Sequence, residues 1–222
     1  MLLSGGIDSA VCLYWAVTEG YRAVCLSIDH HGRPSAEKVA CRRLAAAAGA
    51  QLVEVDLGFL RNREGLAELP GVFQPPEHLP AAYVPFKNVV YYGVAAYYAA
   101  LHRAEVVVTG LVKEDEGRFP DATPEYFEKL EALLVEGLPP GPWRGPRLAF
   151  PLREMEKVDV LRLARELGVP LEHAWSCFRD DPDLRPCGQC ESCRQRAAAF
   201  EKLGWKDPAT LNLSTRGSPS KC

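Results

Sequence analysis

Ser4-Gly5-Gly6-Ile7-Asp8-Ser9 stands between a short apolar stub, Leu2-Leu3, and a stretch from Ser9 to Glu19 whose apolar residues follow a helical repeat. Two adjacent glycines let the chain turn tightly and bring its N–H groups close to an anion. The helix that follows adds the positive end of its dipole. Ser4 and Ser9 can donate hydroxyl hydrogen bonds to phosphate oxygens. Asp8 would repel a bare phosphate, so it makes sense beside Mg²⁺ or an N-cap amide. A bare Gly-Gly pair would read as an ordinary strand–helix turn with an Asp or Ser cap. The whole string in its strand–helix context points to a phosphate cradle. No Gly-Lys-Ser/Thr follows, so the loop is not a Walker A loop.

Outward from this loop the chain alternates strand and helix. Leu2-Leu3 is short for a buried strand, which usually has about five or six residues; either the strand is clipped or the natural start lies upstream. Gly20 stops the first helix. Arg22 to Ile28 is an apolar run of strand length, Ser35 caps an alanine-rich helix that ends at Gly49, and Gln51 to Asp56 is the next strand. That order predicts a parallel sheet with right-handed crossovers. Leu57 to Pro85 breaks the rhythm with five prolines and reads as a lid or binding loop. Asn88 then caps an apolar helix to about Leu101, which is too short to span a bilayer and reads as buried. Glu105 to Thr109 is a fourth strand, Gly110 to Thr123 a polar loop, and Pro124 opens an amphipathic helix to about Val135. Arg147 to Phe150 is a fifth strand, Val158 to Leu167 a helix, and a last helix runs from about Cys193 to Leu203. We divide the chain into an α/β unit (1–170), a cysteine-bearing helical region (171–205) and a polar tail (206–222).

The composition is that of a globular protein with a real core: 47% of the 222 residues are apolar and 25% charged. Lys and Arg number 26 against 29 Asp and Glu, a net charge of -3 that gives no global attraction for polyanions. No nucleic-acid or membrane partner is expected, and the cytoplasm is the expected compartment. Of the eight cysteines, Cys12, Cys25 and Cys41 stand singly in apolar or helical contexts and read as core residues, while Cys222 ends the polar tail. Cys177, Cys187, Cys190 and Cys193 crowd together and offer four thiolates to one ion. Structural zinc prefers that set; an iron–sulfur cluster and a redox Cys-x-x-Cys pair with two bystanders remain open.

The loop resembles the pyrophosphate loop of the N-type ATP pyrophosphatases, whose pattern is Ser-Gly-Gly-x-Asp-Ser. With the four cysteines, the chain is similar to the QueC family of that superfamily, the 7-cyano-7-deazaguanine synthases. The likeness runs from Leu3 to about Gly204. It includes Tyr83-Val84-Pro85-Phe86-Lys87-Asn88, close to the family's Phe/Tyr-Val-Pro-x-Arg-Asn, and Thr109-Gly110 at a strand end. Asp115, Pro120-Asp121, Glu125, Trp175-Ser176-Cys177-Phe178 and Arg196 also fit. The resemblance implies a Rossmann-like, adenine nucleotide alpha hydrolase-like fold with flanking helices and a small C-terminal zinc-binding region. It implies ATP, Mg²⁺ and Zn²⁺ as cofactors, and 7-carboxy-7-deazaguanine and ammonia as partners, in a homodimer. The acid is adenylylated and aminated to the amide; the amide oxygen is adenylylated in turn, and loss of AMP leaves the nitrile.

Carried over residue by residue, Leu3, Ser4, Gly5, Gly6, Asp8 and Ser9 hold the nucleotide, with Asp29 and Thr109-Gly110 at strand ends where ligands bind in open α/β sheets. Strand termination for Thr109 and a turn cap for Asp29 are the plain readings. Asp8, Ser9, Arg33, Lys87, Asp115 and Asp121 form the catalytic set. Arg33 and Lys87 are cations for phosphate or the substrate carboxylate, or else solvated surface charges. Tyr83, Asn88, Phe119, Asp121 and Glu125 form the substrate set: the rings stack on a purine-like base or pack the core, Asn88 contacts the ligand or caps its helix, and the acids bind the amino-pyrimidinone edge or a metal. His30 and His31 follow a strand and read either as neighbours of this site or as ordinary exposed loop histidines. The chain departs from the family at Pro34, where His is common, at Lys87 in place of Arg, and in the loop the family writes Ser-Gly-Tyr-Pro-Asp-Cys-Arg. Here it reads Gly117-Arg118-Phe119-Pro120-Asp121-Ala122-Thr123. These changes leave adenylylation in place and open a second reading, an amide synthetase or ligase acting on a related carboxylate. A tRNA-modifying relative is a weaker alternative, because the net charge and the compact cysteine cluster speak against it.

Overall fold

The computed structural model describes residues 1–79, 83–116, 118–181 and 183–209, so most of the polar tail, including Cys222, lies outside the described residues. The strands are β1 (Val24–His31), β2 (Gln51–Arg61), β3 (Val106–Val108) and β4 (Arg147–Ala149). The helices are α1 (Ile7–Thr18), α2 (Ser35–Ala47), α3 (Arg63–Ala67), α4 (Lys87–His102), α5 (Pro124–Glu136), α6 (Lys157–Glu166) and α7 (Glu191–Lys202). Strands β1 and β2 pair in parallel, as do β3 and β4.

The stub joins these two pairs. Leu3 N–H donates to Leu26 O at 2.9 Å, Leu26 N–H to Met1 O at 2.8 Å, and Leu2 N–H to Val108 O at 3.0 Å. Leu2 also forms a parallel bridge with Leu26. Met1–Leu3 therefore lies between β1 and β3, and the strand order is β2-β1-stub-β3-β4. The chain winds outward from the stub in one direction through β2 and in the other through β4. The reversal falls between the stub and β3, at the kind of crevice where open α/β sheets bind ligands.

Side-chain alternation sorts the two faces. Val107, Leu148 and Leu26 pack with Tyr92, Ala95 and Ala99 of α4 and Phe127 and Leu130 of α5. Val108 packs on the opposite side with α1, α6 and α7 through residues such as Val11, Leu161 and Phe200. Leu3 and Cys25 meet Leu13 and Cys41 beneath α1 and α2. Cys12, Cys25 and Cys41 are buried, as expected of core residues.

Several local expectations are corrected. Strand β2 continues past Asp56 to Arg61, and α3 follows with the Asn62 side chain capping it through Gly65 N–H, so the early part of the expected irregular loop is regular. Ser35 is the first helical residue of α2, not its cap, and its hydroxyl donates to Asp180 at 2.7 Å. The N-cap of α4 is Phe86 at φ 56°, which places Asn88 inside the helix. Helix α4 is buried along one face only: it forms the outer layer over the sheet, leaving Tyr97 62% and Leu101 60% exposed. Among the described residues no helix is long and apolar enough to cross a membrane.

The end of β3 touches the glycine loop directly. A Cβ on Gly110 would lie 2.8 Å from the carbonyl carbon of Asp8 and 2.9 Å from Ser9 N, both backbone atoms that cannot swing aside. We expect Gly110→Ala to cost roughly 1–3 kcal/mol of overpacking, read as a lower denaturant midpoint with an unchanged m-value. Wild-type stability in this variant would mean the two segments do not meet.

Candidate active site and cysteine centre

Residues 4 to 9 form a tight turn at the head of α1. Gly5 takes φ 91°, and a Cβ there would come within 2.6 Å of Glu37 O on α2, so the position admits no side chain. Ser9 Oγ donates to Gly6 O at 3.0 Å and accepts from Ser4 N–H at 3.2 Å. The Ser4 and Ser9 hydroxyls are 3.1 Å apart. The first N–H groups of α1 have no intrahelical acceptor, and Ser4, Gly6, Asp8 and Ser9 border a cleft of about 600 Å³. Leu3, His30, Lys87, Asn88, Thr109 and Gly110 also line it.

Arg33 braces this turn from below. Its side chain is 2% exposed. Nε donates to Glu37 at 3.0 Å. Nη1 donates to Ser27 Oγ at 3.0 Å and Ile28 O at 2.6 Å. Nη2 donates to Ser4 O at 2.9 Å and Cys41 Sγ at 3.2 Å. A guanidinium has five N–H donors, and here all have protein acceptors. Arg33 is neither the solvated surface charge nor the free phosphate cation read from sequence; it anchors the cradle's first carbonyl.

The cation at the cradle is Lys157, at the start of α6, with Nζ 2.6 Å from both carboxylate oxygens of Asp8. The partner expected for Asp8 was a metal or an amide; the structure supplies an ammonium 149 residues away. Sequence reasoning missed Lys157, whose one signal was its place opening the helix after the last strand. Asp29 forms an ion pair with Lys38 of α2, and His30 rather than Asp29 is on the cleft wall. Burial lowers the His30 pKa, which favours the neutral ring.

A smaller slot of about 150 Å³ opens beside the cleft, lined by Tyr83, Lys87, Asn88, Asp115, Phe119 and Asp121. Lys87, Asn88 and Leu111 line both spaces. The Tyr83 and Phe119 rings are parallel within 10°, with centroids 6.4 Å apart. Lys87 Nζ lies 5.8 Å from the Phe119 centroid and has no ion pair among the described residues. Asn88 Nδ2 donates to Asp121 O at 2.7 Å and its backbone N–H to Asp121 Oδ2 at 3.3 Å, tying α4 to the slot loop. Asp115 accepts from Val112 N–H at 3.0 Å. Burial, with the Asp8 charge adding, raises its pKa. Glu125 is exposed on the first turn of α5, outside the slot. Gly117 lies outside the described residues.

The four expected cysteines converge: the Sγ atoms of Cys177, Cys187, Cys190 and Cys193 all lie within 4.8 Å of one another. Backbone N–H groups of Gln189 and Cys190 donate to Cys187 Sγ and pull its pKa down to about 6. Burial pushes Cys193 up. This donor set fits one metal ion with no position left for water. The centre is tied to the cradle: Trp175 Nε1 donates to Cys177 O at 2.7 Å, and Trp175 N–H donates to Gly5 O at 2.9 Å.

A family model described as "Queuosine biosynthesis protein QueC" matches residues 1–204. A protein of Nitratiruptor sp. named 7-cyano-7-deazaguanine synthase is 32% identical over 213 residues, covering 93% of this chain and 95% of that protein. One of the same name from Thermoplasma acidophilum is 34% identical over 215 residues, covering 94% and 89%. Among solved structures, the U34-tRNA thiolase NcsA from Methanococcus maripaludis with its [4Fe-4S] cluster superposes with TM-score 0.51 at 15% identity, covering 99% of this chain and 73% of that one. That last likeness is one of fold alone.

Metal removal tests the cysteine centre. One ion per chain is expected, lost in Cys187→Ala and Cys190→Ala. Chelation should lower the thermal midpoint by more than about 4 °C, beyond what 1 kcal/mol shifts at this size. An ion-free protein with an unchanged midpoint would remove the centre from the fold's supports.

Proposed function

The chain belongs to the queuosine biosynthesis protein QueC family, and from that premise we propose that it makes 7-cyano-7-deazaguanine from 7-carboxy-7-deazaguanine, ammonia and ATP. It is a synthase of the QueC type. The finer reading is a carbon–nitrogen ligase that works by adenylylation. The observation that carries it is the continuity of two spaces: a phosphate cradle at the sheet's crossover point, and a ring-lined slot that shares Lys87, Asn88 and Leu111 with it.

In this reading Leu3, Ser4, Gly5, Gly6, Asp8 and Ser9, with Thr109-Gly110 opposite, hold the nucleotide. The acid lies in the slot against Tyr83 and Phe119, its amino-pyrimidinone edge toward Asp115 and Asp121 and its carboxylate toward Lys87. A carboxylate oxygen attacks the α-phosphorus, and pyrophosphate leaves into the turn, where Lys157 and the α1 amides receive its charge. Ammonia displaces AMP from the acyl adenylate and leaves an amide. An amide oxygen is a poor leaving group, so it too is adenylylated, and loss of AMP with two protons gives the nitrile.

Asp8 and Asp115 would hold Mg²⁺ together with phosphate oxygens, which suits an ion that takes one or two carboxylates and substrate phosphate. Burial, with the Asp8 charge adding, raises the Asp115 pKa, and a bound cation would oppose both effects. Bound there it would neutralise charge on the leaving pyrophosphate. Zn²⁺ is the ion we assign to the four cysteines: a tetrahedron with Zn–S of about 2.3 Å has edges near 3.8 Å, compatible with sulfurs inside 4.8 Å. Its part is to fix residues 171–205 against the 1–170 unit. Homodimer formation, ammonia as the nitrogen donor and a cytoplasmic setting complete the reading.

A second product is favoured by one observation. Ala122, where the family pattern has Cys, is buried and lines the slot. An enzyme that stops at the amide would follow if that cysteine serves the second stage. Mass spectrometry of the product from the acid, ATP and ammonia separates the outcomes. A nitrile supports the main reading and an amide the second. No AMP with this acid ends both. Lys157→Met should lower pyrophosphate release about 100-fold, the size expected for a lost electrostatic donor, with the fold intact by circular dichroism; near-wild-type release would remove Lys157 from the chemistry.

A further inference from the structure

Ammonia enters with three protons on nitrogen, and a nitrile keeps none. Each proton must pass to a base at the reacting carbon. Two acids of the cleft are already engaged, Asp8 with Lys157 and Glu37 with Arg33. His30, at the end of β1, stands half-buried in the cleft wall. Its Nδ1 lies 3.0 Å from His31 O. A carbonyl oxygen only accepts, so Nδ1 carries the ring proton and Nε2 holds a lone pair. Among the described residues Nε2 has no partner, and it is open to solvent, which at this wall is the cleft. His31 turns to the other side, where its Nε2 accepts from Arg61 Nη1 at 3.3 Å.

The charges around the ring locate it and set its protonation. Lys87, which lines both cleft and slot, acts on it electrostatically across the cleft. Burial lowers the His30 pKa most, the bond to His31 O raises it, Lys87 and Arg33 lower it, and Asp29 raises it. Asp29 is itself paired with Lys38. Asp8, Glu37, Glu64 and Arg179 border the same cleft. The net direction is downward, so the imidazole is neutral at pH 7 and able to accept.

We propose that His30 Nε2 is the base that takes protons from the substrate nitrogen after adenylylation. This rests on the adenylylation reading and adds a catalytic residue to it. In the first stage the ammonia nitrogen bonds to the acyl carbon and becomes cationic. Nε2 takes one of its protons, and the carbon–oxygen bond to AMP breaks with the electron pair leaving on AMP. In the second stage the amide oxygen bonds to the α-phosphorus, pyrophosphate leaves, and Nε2 takes one N–H proton. It takes the last proton as the carbon–oxygen bond breaks, and the freed N–H electron pair closes the triple bond while AMP leaves. Between steps the imidazolium gives its proton to water at the cleft mouth. A cationic nitrogen on a tetrahedral carbon is acidic enough for a neutral imidazole, whereas a protonated Lys87 has no lone pair to offer.

His30→Gln keeps a donor for His31 O and removes the base. Two measurements on the full chain separate the steps. Exchange of pyrophosphate with ATP, driven by 7-carboxy-7-deazaguanine without ammonia, reads adenylylation; amide plus nitrile formed at a fixed concentration of free ammonia reads proton removal. Exchange should stay within about threefold, which also shows an intact site, and product formation should fall about 100-fold, the low end for a general base. Wild-type product formation should fall as pH drops through a value below the ordinary histidine range, because a protonated ring cannot accept, and the variant should lack this limb. In His30→Ala, added imidazole should restore product formation at least fivefold, a response that a packing role would not give. Near-wild-type product formation in His30→Gln overturns the assignment, as do an equal loss of exchange and product, an unchanged acid limb, or no response to imidazole. If the wild-type protein itself shows no exchange with this acid, the adenylylation reading fails and the base falls with it.

Discussion

The buried guanidinium of Arg33 is the constraint on which the rest of the site depends. A cation this far from water is costly unless its donors are met and its charge opposed. Here Glu37 opposes the charge, and the acceptors come from β1, the glycine turn and α2. Because Ser4 O is one of them, the turn has a fixed height above the sheet. The side-chain-free approach of Gly5 to α2 and of Gly110 to the backbone of Asp8 and Ser9 can then both be satisfied. The glycine turn is thus set by packing from three directions, and a nucleotide bound there, as proposed, would find its donors already in place.

The cysteine centre extends the same logic. Trp175 is bonded to the centre through its indole and to the turn through its backbone. Asp180 accepts from Ser35 Oγ and Ala36 N–H at the head of α2, and Arg118 pairs with Glu191 at 2.9 Å between slot loop and α7. The segment after α6 is therefore held to the turn, to α2 and to the slot. A bound ion would stiffen all three contacts without touching a reactant.

Much of this was legible in the residues themselves. The glycine pair between an apolar stub and a helical repeat located the tight turn at the head of α1, because only glycine takes that backbone so close to α2. The cysteine spacing located the centre, because thiolates crowded in sequence are crowded in space. Alternating periods gave the parallel sheet. What was not legible depends on tertiary neighbours. Lys157 is an ordinary helix-opening lysine until the sheet brings Asp8 beside it. Arg33 reads as a loop cation until α2 folds back over it. Asp29 looks like a strand-end ligand until Lys38 takes it. Glu125 has the right spacing but the wrong side of its helix.

The stub's position has a consequence for how the molecule assembles. Met1–Leu3 precedes β1 and β3 in the chain but lies between them in the sheet. During synthesis this segment emerges before either neighbour and must wait for Val108 to gain its second edge. At about 5–20 residues per second that interval lasts several seconds, with an apolar strand unpaired on one side. The half-sheet of stub, β1 and β2 can form early, but the crossover crevice closes only when β3 docks. The crevice should therefore take shape late and all at once, as the two halves join along this one short seam.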